Sequence, residues 1–101
     1  MVDDLQLARS VSEAVLAIGG VHSLGTGRYA EAATYGAGEK VRGVVVNPRE
    51  VRVHIVVSYP LVEPIPALAE RIRQQVASRT EGRPTTVVVE DLVEVEQGEN
   101  L

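Results

Sequence analysis

The first apolar pattern of the chain has the spacing of a helix. Beginning at Leu7, apolar residues recur every three or four positions, and polar side chains occupy the opposite face. The spacing predicts an amphipathic helix with this apolar stripe: Leu7, Ala8, Val11, Ala14, Val15 and Ile18. Asp3 or Asp4 is the expected N-cap, and the Gly19–Gly20 pair is expected to end the helix.

The middle of the chain has the alternating pattern of strands. Residues 21–24 are compatible with a short strand, whereas residues 25–39 have no period and predict a long loop. Residues 41–46 and 51–59 predict two strands of a hairpin, joined by a turn at residues 47–50. In the second strand, valine and isoleucine at alternate positions predict a buried face, and the other face is mixed: Arg52, His54, Val56 and Ser58.

A second helix and a last strand complete the pattern. Pro64 and Pro66 introduce the helix, and Gly82 follows it. Its apolar stripe is Ile65, Leu68, Ala69, Ile72 and Val76. Residues 85–95 then predict a strand, with Val87, Val89 and Val93 on one face and Val88, Glu90 and Leu92 on the other.

These elements predict one α/β domain with the order helix, strand, strand, strand, helix, strand. The connection through the second helix is long enough to join two parallel strands. The expected architecture is a two-layer sandwich in which both helices cover one face of a mixed sheet. We expect a single domain over residues 1–101, a core within about residues 5–95, and an acidic tail at 96–101.

Composition narrows the classes of function. The 101 residues carry a net charge of −4, which disfavours a nucleic-acid surface, since phosphate binding needs clustered Lys and Arg. There is no cysteine, and therefore no disulfide or thiolate nucleophile. No segment approaches the ~18 consecutive apolar residues of a membrane span. We expect a cytoplasmic protein without catalytic residues, metal or cofactor, in which His22 and His54 are solvated surface side chains.

The uncovered face of the predicted sheet is the candidate interaction surface. A partly apolar patch in water commonly marks a contact with another protein. The residues expected there are Val44, Val46, Arg52, His54, Val56, Val88 and Leu92. A merely mixed solvent face is the alternative.

The glycine-rich stretch is a second candidate site. Gly25 and Gly27 allow backbone N–H groups to approach an anion, and Arg28 could pair with it. The stretch lacks the remaining residues of a Walker loop or a dinucleotide fingerprint. A flexible loop is therefore the favoured interpretation, and a small-ligand or nucleotide sensor using residues 25–38 is the alternative function.

Several segments together resemble one known family. They are IGGV after the first helix, KVRGVVV, and the run VRVHIVVSYPLVEPIPALAERIRQQVASRTEG. Over residues 7–92 the chain resembles the alkaline shock protein family of Gram-positive envelope stress proteins. The resemblance implies a small non-catalytic domain that self-associates, or that a separate anchoring protein recruits to the cytoplasmic side of the membrane. It therefore implies a protein-interaction or scaffolding module of the stress response.

Overall fold

The computed structural model describes residues 3–27 and 32–95. The predicted acidic tail at 96–101 and Arg28 of the glycine-rich candidate site lie outside the described residues. The described elements are α1 (Asp4–Leu16), β1 (Val21–Leu24), β2 (Ala33–Gly36), β3 (Glu39–Arg42), β4 (Val44–Val46), β5 (Val51–Tyr59), α2 (Ile65–Val76), a 3₁₀ helix (Ala77–Arg79) and β6 (Thr85–Glu94). The described residues thus form a mixed α and β fold with two α-helices and a mixed sheet, as the sequence pattern predicts.

Strand β5 is the centre of the main sheet. It pairs in parallel with β6 along its whole length, from Val51 opposite Thr85 to Tyr59 opposite Glu94. It also pairs antiparallel with β1 and with β4. Because β6 occupies one edge of β5 throughout, β1 and β4 share the other edge. The sheet is therefore three strands wide, and β6 forms one of its edges.

Both helices contribute their apolar stripes to one core. The alternate residues of β5 are almost completely inaccessible to solvent, as expected for a strand that packs on helices. They form one cluster with Val11 of α1 and Ile72 of α2. The fully buried side chains include Leu7, Val11, Val15, Val51, Val53, Ile55, Ile72 and Val76. Each contributes on the order of 1.5–3 kcal/mol through burial, which makes this aliphatic cluster the main source of stability.

The first helix begins as predicted and ends earlier than predicted. The Asp3 side chain is the N-cap, and its Oδ1 accepts from the backbone N–H of Gln6 at 2.8 Å. The helix ends at Leu16, with Ala17 as its C-cap, rather than at the glycine pair. Gly20 instead adopts a positive φ of 102°, which turns the chain into β1.

The predicted loop at residues 25–39 is wrong in its second half. Strands β2 and β3 form an antiparallel hairpin that pairs Ala33 with Arg42. The Thr34 hydroxyl attaches this hairpin to β4, because it donates to the Val44 carbonyl at 2.6 Å and accepts from Val46 N at 3.1 Å. A strand of four residues has too few positions to show a period, so the sequence pattern did not indicate this hairpin.

The predicted strand at residues 41–46 is also wrong, because Gly43 divides it into β3 and β4. Gly43 has a φ of +83°, a conformation that side chains disfavour. Its N–H donates to Ala32 O, and its carbonyl accepts from His54 N, both at 2.7 Å. The predicted order of elements therefore lacked two strands.

Candidate interaction surface on the outer face of the sheet

The residues that alternate with the buried positions of β5 define the outer face of the sheet. Arg52, His54, Val56 and Ser58 are each partly exposed, between neighbours that belong to the core. Pairing places Val45 opposite Arg52, Val88 opposite His54 and Val93 opposite Ser58, and these partners are partly exposed as well. We define the outer sheet surface as Val45, Arg52, His54, Val56, Val88 and Val93.

Two predicted members of the surface lie on the core side instead. Val44 pairs with Val53 and is 0% exposed, and Val46 pairs with Val51 and packs against the core. Because side chains alternate along a strand, a shift of one residue exchanges its faces. The break at Gly43 produces this shift, and Val45 takes the outer position.

Leu92 is a third misplaced residue, and a β-bulge in β6 is the reason. The register passes from Ile55 opposite Val89 to Val56 opposite Asp91, so Glu90 is the extra residue. Beyond the bulge, Leu92 aligns with the buried Val57 and is 46% exposed at the sheet edge. Val93 therefore occupies the outer position that the sequence pattern assigned to Leu92.

The charge of Arg52 is paired within the chain. Its Nη2 donates to Oε2 of Glu50 at 2.8 Å, and the Thr86 hydroxyl donates to Oε1 of the same carboxylate at 2.7 Å. Two hydrogen bonds hold the pKa of Glu50 below its ordinary value. The larger effect comes from Thr86 and the next largest from Arg52. These three side chains join the start of β5 to the start of β6.

His54 is largely buried, which corrects the prediction of a solvated histidine. Its side chain is 13% exposed, and Nδ1 lies 2.7 Å from Oε2 of Glu90. The other ring nitrogen, Nε2, is buried without a hydrogen-bond partner among the described residues. Neither nitrogen is therefore presented to solvent as a general base or a metal ligand would require. His22, by contrast, is exposed as predicted.

The glycine-rich stretch donates backbone hydrogen bonds to a carboxylate of the same chain. Thr26 N and Gly27 N donate to the two carboxylate oxygens of Glu90, at 3.2 and 2.6 Å. A Cβ atom at Gly25 would overlap this carboxylate, so glycine is needed there for its close approach. Of the two predicted glycines, only Gly27 donates to this carboxylate, because Gly25 N donates to the His54 carbonyl at 2.7 Å.

No feature of a metal centre or membrane span accompanies this surface in the described part of the chain. Residues 3–27 and 32–95 contain no group of three or more His, Asp or Glu side chains placed to hold a metal ion. In the same residues, neither helix has the length and apolar character needed to cross a bilayer.

Comparisons with protein-family models, with curated proteins and with solved structures found no match to this chain.

Proposed function

We propose that the chain is a non-enzymatic protein-interaction or scaffolding module of the envelope stress response. In this proposal both helices cover one face of the sheet, and the outer sheet surface binds a protein partner. One observation carries the proposal: four partly exposed valines share the outer face of the sheet with Arg52 and His54. A partly apolar sheet face in water is typical of protein contacts.

The charged groups of the surface favour a protein over a charged small molecule. Arg52 is paired with Glu50, and His54 contacts Glu90, so both polar side chains already have partners in the free chain. Burying a charge is costly unless it is paired. Since the pairs are already formed, an apolar partner surface can cover them without leaving an unpaired charge.

The alternative function, a nucleotide or small-ligand sensor at residues 25–38, has less support. The N–H groups of Thr26 and Gly27 are the donors that a phosphate would need, and the Glu90 carboxylate already accepts from both. A phosphate would have to displace a carboxylate of the same charge sign. We therefore favour the protein partner.

The stress response and the place of action come from the resemblance to the alkaline shock protein family. The partner of this proposal is a protein with a membrane anchor and an apolar contact surface, and the chain acts at the cytoplasmic face of the membrane. The resemblance also includes self-association, which the proposal keeps as a second property of the module.

The test is affinity purification from native cells with a tagged chain and two variants. Val56→Lys with Val88→Lys adds two charges to the outer sheet surface. Gln75→Lys with Ser78→Lys adds the same charge at exposed positions of α2 and the 3₁₀ helix, and is the matched control. We expect the wild type and the control to recover one partner, and the surface variant to recover about tenfold less, because a lysine in an apolar contact is strongly unfavourable.

Circular dichroism establishes that the surface variant is folded, and purified partner then replaces the cell extract in a direct binding titration. Equal affinity of the surface variant and the control would contradict the proposed surface. A partner without a membrane-spanning segment would contradict the proposed place of action. Heat of binding to a nucleotide or phosphometabolite, abolished by Gly27→Val, would favour the sensor instead.

A further inference from the structure

An apolar pocket lies where β5 ends and α2 begins, and no residue of the outer sheet surface lines it. Its volume is about 180 Å³. Val57 and Leu68 form its inner wall, and they are 1% and 2% exposed. Leu61 and Val62 also line it, but they are 39% and 85% exposed, so they lie at its mouth. The pocket therefore leads from solvent to the aliphatic core.

The residues around the pocket hold its shape in the free chain. Gly20 has no side chain, and a Cβ atom there would contact Leu68 Cδ1 at 3.5 Å, so the glycine makes room beside Leu68. Arg71 Nε donates to Glu63 Oε2 at 3.1 Å, and Arg71 Nη2 donates to the Gly19 carbonyl oxygen at 2.7 Å. Because Glu63 lies between β5 and α2 and Gly19 precedes β1, this arginine joins two sides of the pocket. Ligand pockets are usually preformed in this way.

The lining favours a neutral, apolar ligand. Among the described residues, Ser58 and Glu63 supply the only polar side chains of the lining. The Glu63 carboxylate is paired with Arg71, and the Ser58 N–H donates to the Gly20 carbonyl oxygen at 2.9 Å. A charged ligand would lose its hydration in this pocket without gaining an opposite charge, and burial of an unpaired charge is costly.

The volume indicates the size of the ligand. An engineered apolar cavity of about 150 Å³ in another protein binds benzene. We infer that this pocket binds a small neutral ligand through an aromatic ring or a branched aliphatic group of about six non-hydrogen atoms. This group contacts Val57, Leu68 and Val95, which line the pocket. The inference concerns other residues than the outer sheet surface and does not depend on the proposed protein partner.

Benzene is the probe for this site, and methyl NMR of the full chain follows the titration. We expect saturable binding with a Kd of about 1 mM or tighter, which is within the range that six well-packed atoms provide. Nuclear Overhauser effects should connect the benzene protons with the methyl groups of Val57, Leu68 and Val95, and not with those of Val45 or Val88. Benzoate carries a charge on the same ring and should bind at least about tenfold more weakly.

Two phenylalanine variants check the location. Leu68→Phe places a larger side chain in the pocket and should weaken benzene binding by about tenfold or more. Ala67→Phe introduces the same ring at an exposed neighbouring position of α2 and should bind benzene as the wild type does. Circular dichroism establishes that both variants are folded. If Leu68→Phe does not fold, the Overhauser effects of the wild type decide.

Two results would overturn the inference directly: no saturable binding of benzene, or binding that Leu68→Phe leaves unchanged. A third result would assign the pocket to a protein contact. In that case benzene does not bind, and the methyl signals of Leu61 and Val62 respond to the purified protein partner instead. A small ligand would then be excluded.

Discussion

Glu90 Oε2 lies 2.7 Å from His54 Nδ1, although the two residues are separated by 36 positions in the sequence. The bulge in β6 creates this contact, because it inserts Glu90 between two residues that pair regularly with β5. The same carboxylate accepts the Thr26 and Gly27 amides. Glu90 therefore joins the edge strand, the central strand and the glycine-rich stretch on the outer face.

Removal of this carboxylate should destabilise the fold. Glu90→Ala eliminates the acceptor of two backbone amides and of a largely buried histidine, so we expect a loss of about 2 kcal/mol in the free energy of unfolding. Glu90→Gln keeps one acceptor oxygen and should lose about half as much. Urea denaturation measures both values. A fully stable Glu90→Ala variant would show that the contact contributes nothing.

Gly25→Ala should act through the same carboxylate. The added methyl group would overlap the Glu90 carboxylate, and this side chain would have to leave the amides of Thr26 and Gly27. We expect a destabilisation similar to that of Glu90→Ala. In a double-mutant cycle, the two changes together should cost much less than the sum of the single changes. Additive losses would mean that Gly25 is required for another reason.

The elements with a long period were predictable from the sequence. The stripe of α2, from Ile65 to Val76, and the strict alternation of β5 extend over enough positions to define their faces. The hairpin of β2 and β3 was not predictable, because each strand has four residues and the Thr34 hydroxyl, rather than an apolar face, attaches the hairpin to β4. Tertiary contacts of this kind leave no local pattern.

Four of the six residues of the outer sheet surface were predictable, and the errors have one physical origin. The central strand placed Arg52, His54 and Val56 correctly, because its alternation is unbroken. The break at Gly43 and the bulge at Glu90 each shift the alternation of side chains by one residue in the part of the chain that follows. Each shift exchanges the two faces of the strand. The glycine within a valine run was a usable signal for the first shift. The carboxylate within a valine-rich strand was the corresponding signal for the second.

Gly43→Ala, at a buried position between β3 and β4, should strongly destabilise the fold. A Cβ atom would lie 2.6 Å from Leu24 Cβ and 2.9 Å from the Gly25 carbonyl oxygen, in a residue whose φ is +83°. We expect a loss of about 2–3 kcal/mol in the free energy of unfolding, from the positive φ and the overlap together.

Gly38→Ala is the matched control, since its φ is +73° and no atom lies within 4 Å of the added Cβ. It should lose about 1 kcal/mol. Thermal unfolding of both variants distinguishes overlap from backbone strain, and equal losses would exclude a role for overlap.

The stability of the fold at acid pH should depend on Thr86. Its hydroxyl is the largest cause of the lowered pKa of Glu50, whose ordinary value is 4.5. A carboxyl whose pKa is lower in the folded chain stabilises the fold above the unfolded pKa, and this contribution is lost as the pH falls through the folded pKa. Thr86→Val should therefore move the pKa of Glu50 upward, towards 4.5. A carbon-detected NMR titration measures it, with Thr85→Val as the control. An unchanged pKa would show that Thr86 does not stabilise the ionised form.

Methyl NMR of the valine-labelled chain, with and without the purified protein partner, tests the role of the outer sheet surface most directly. Binding should shift or broaden the methyl signals of Val45, Val56, Val88 and Val93. The signal of Val62, which is exposed outside this surface, should stay unchanged. Changes at Val62 while those four signals stay in place would show that the partner binds elsewhere than on the outer sheet surface.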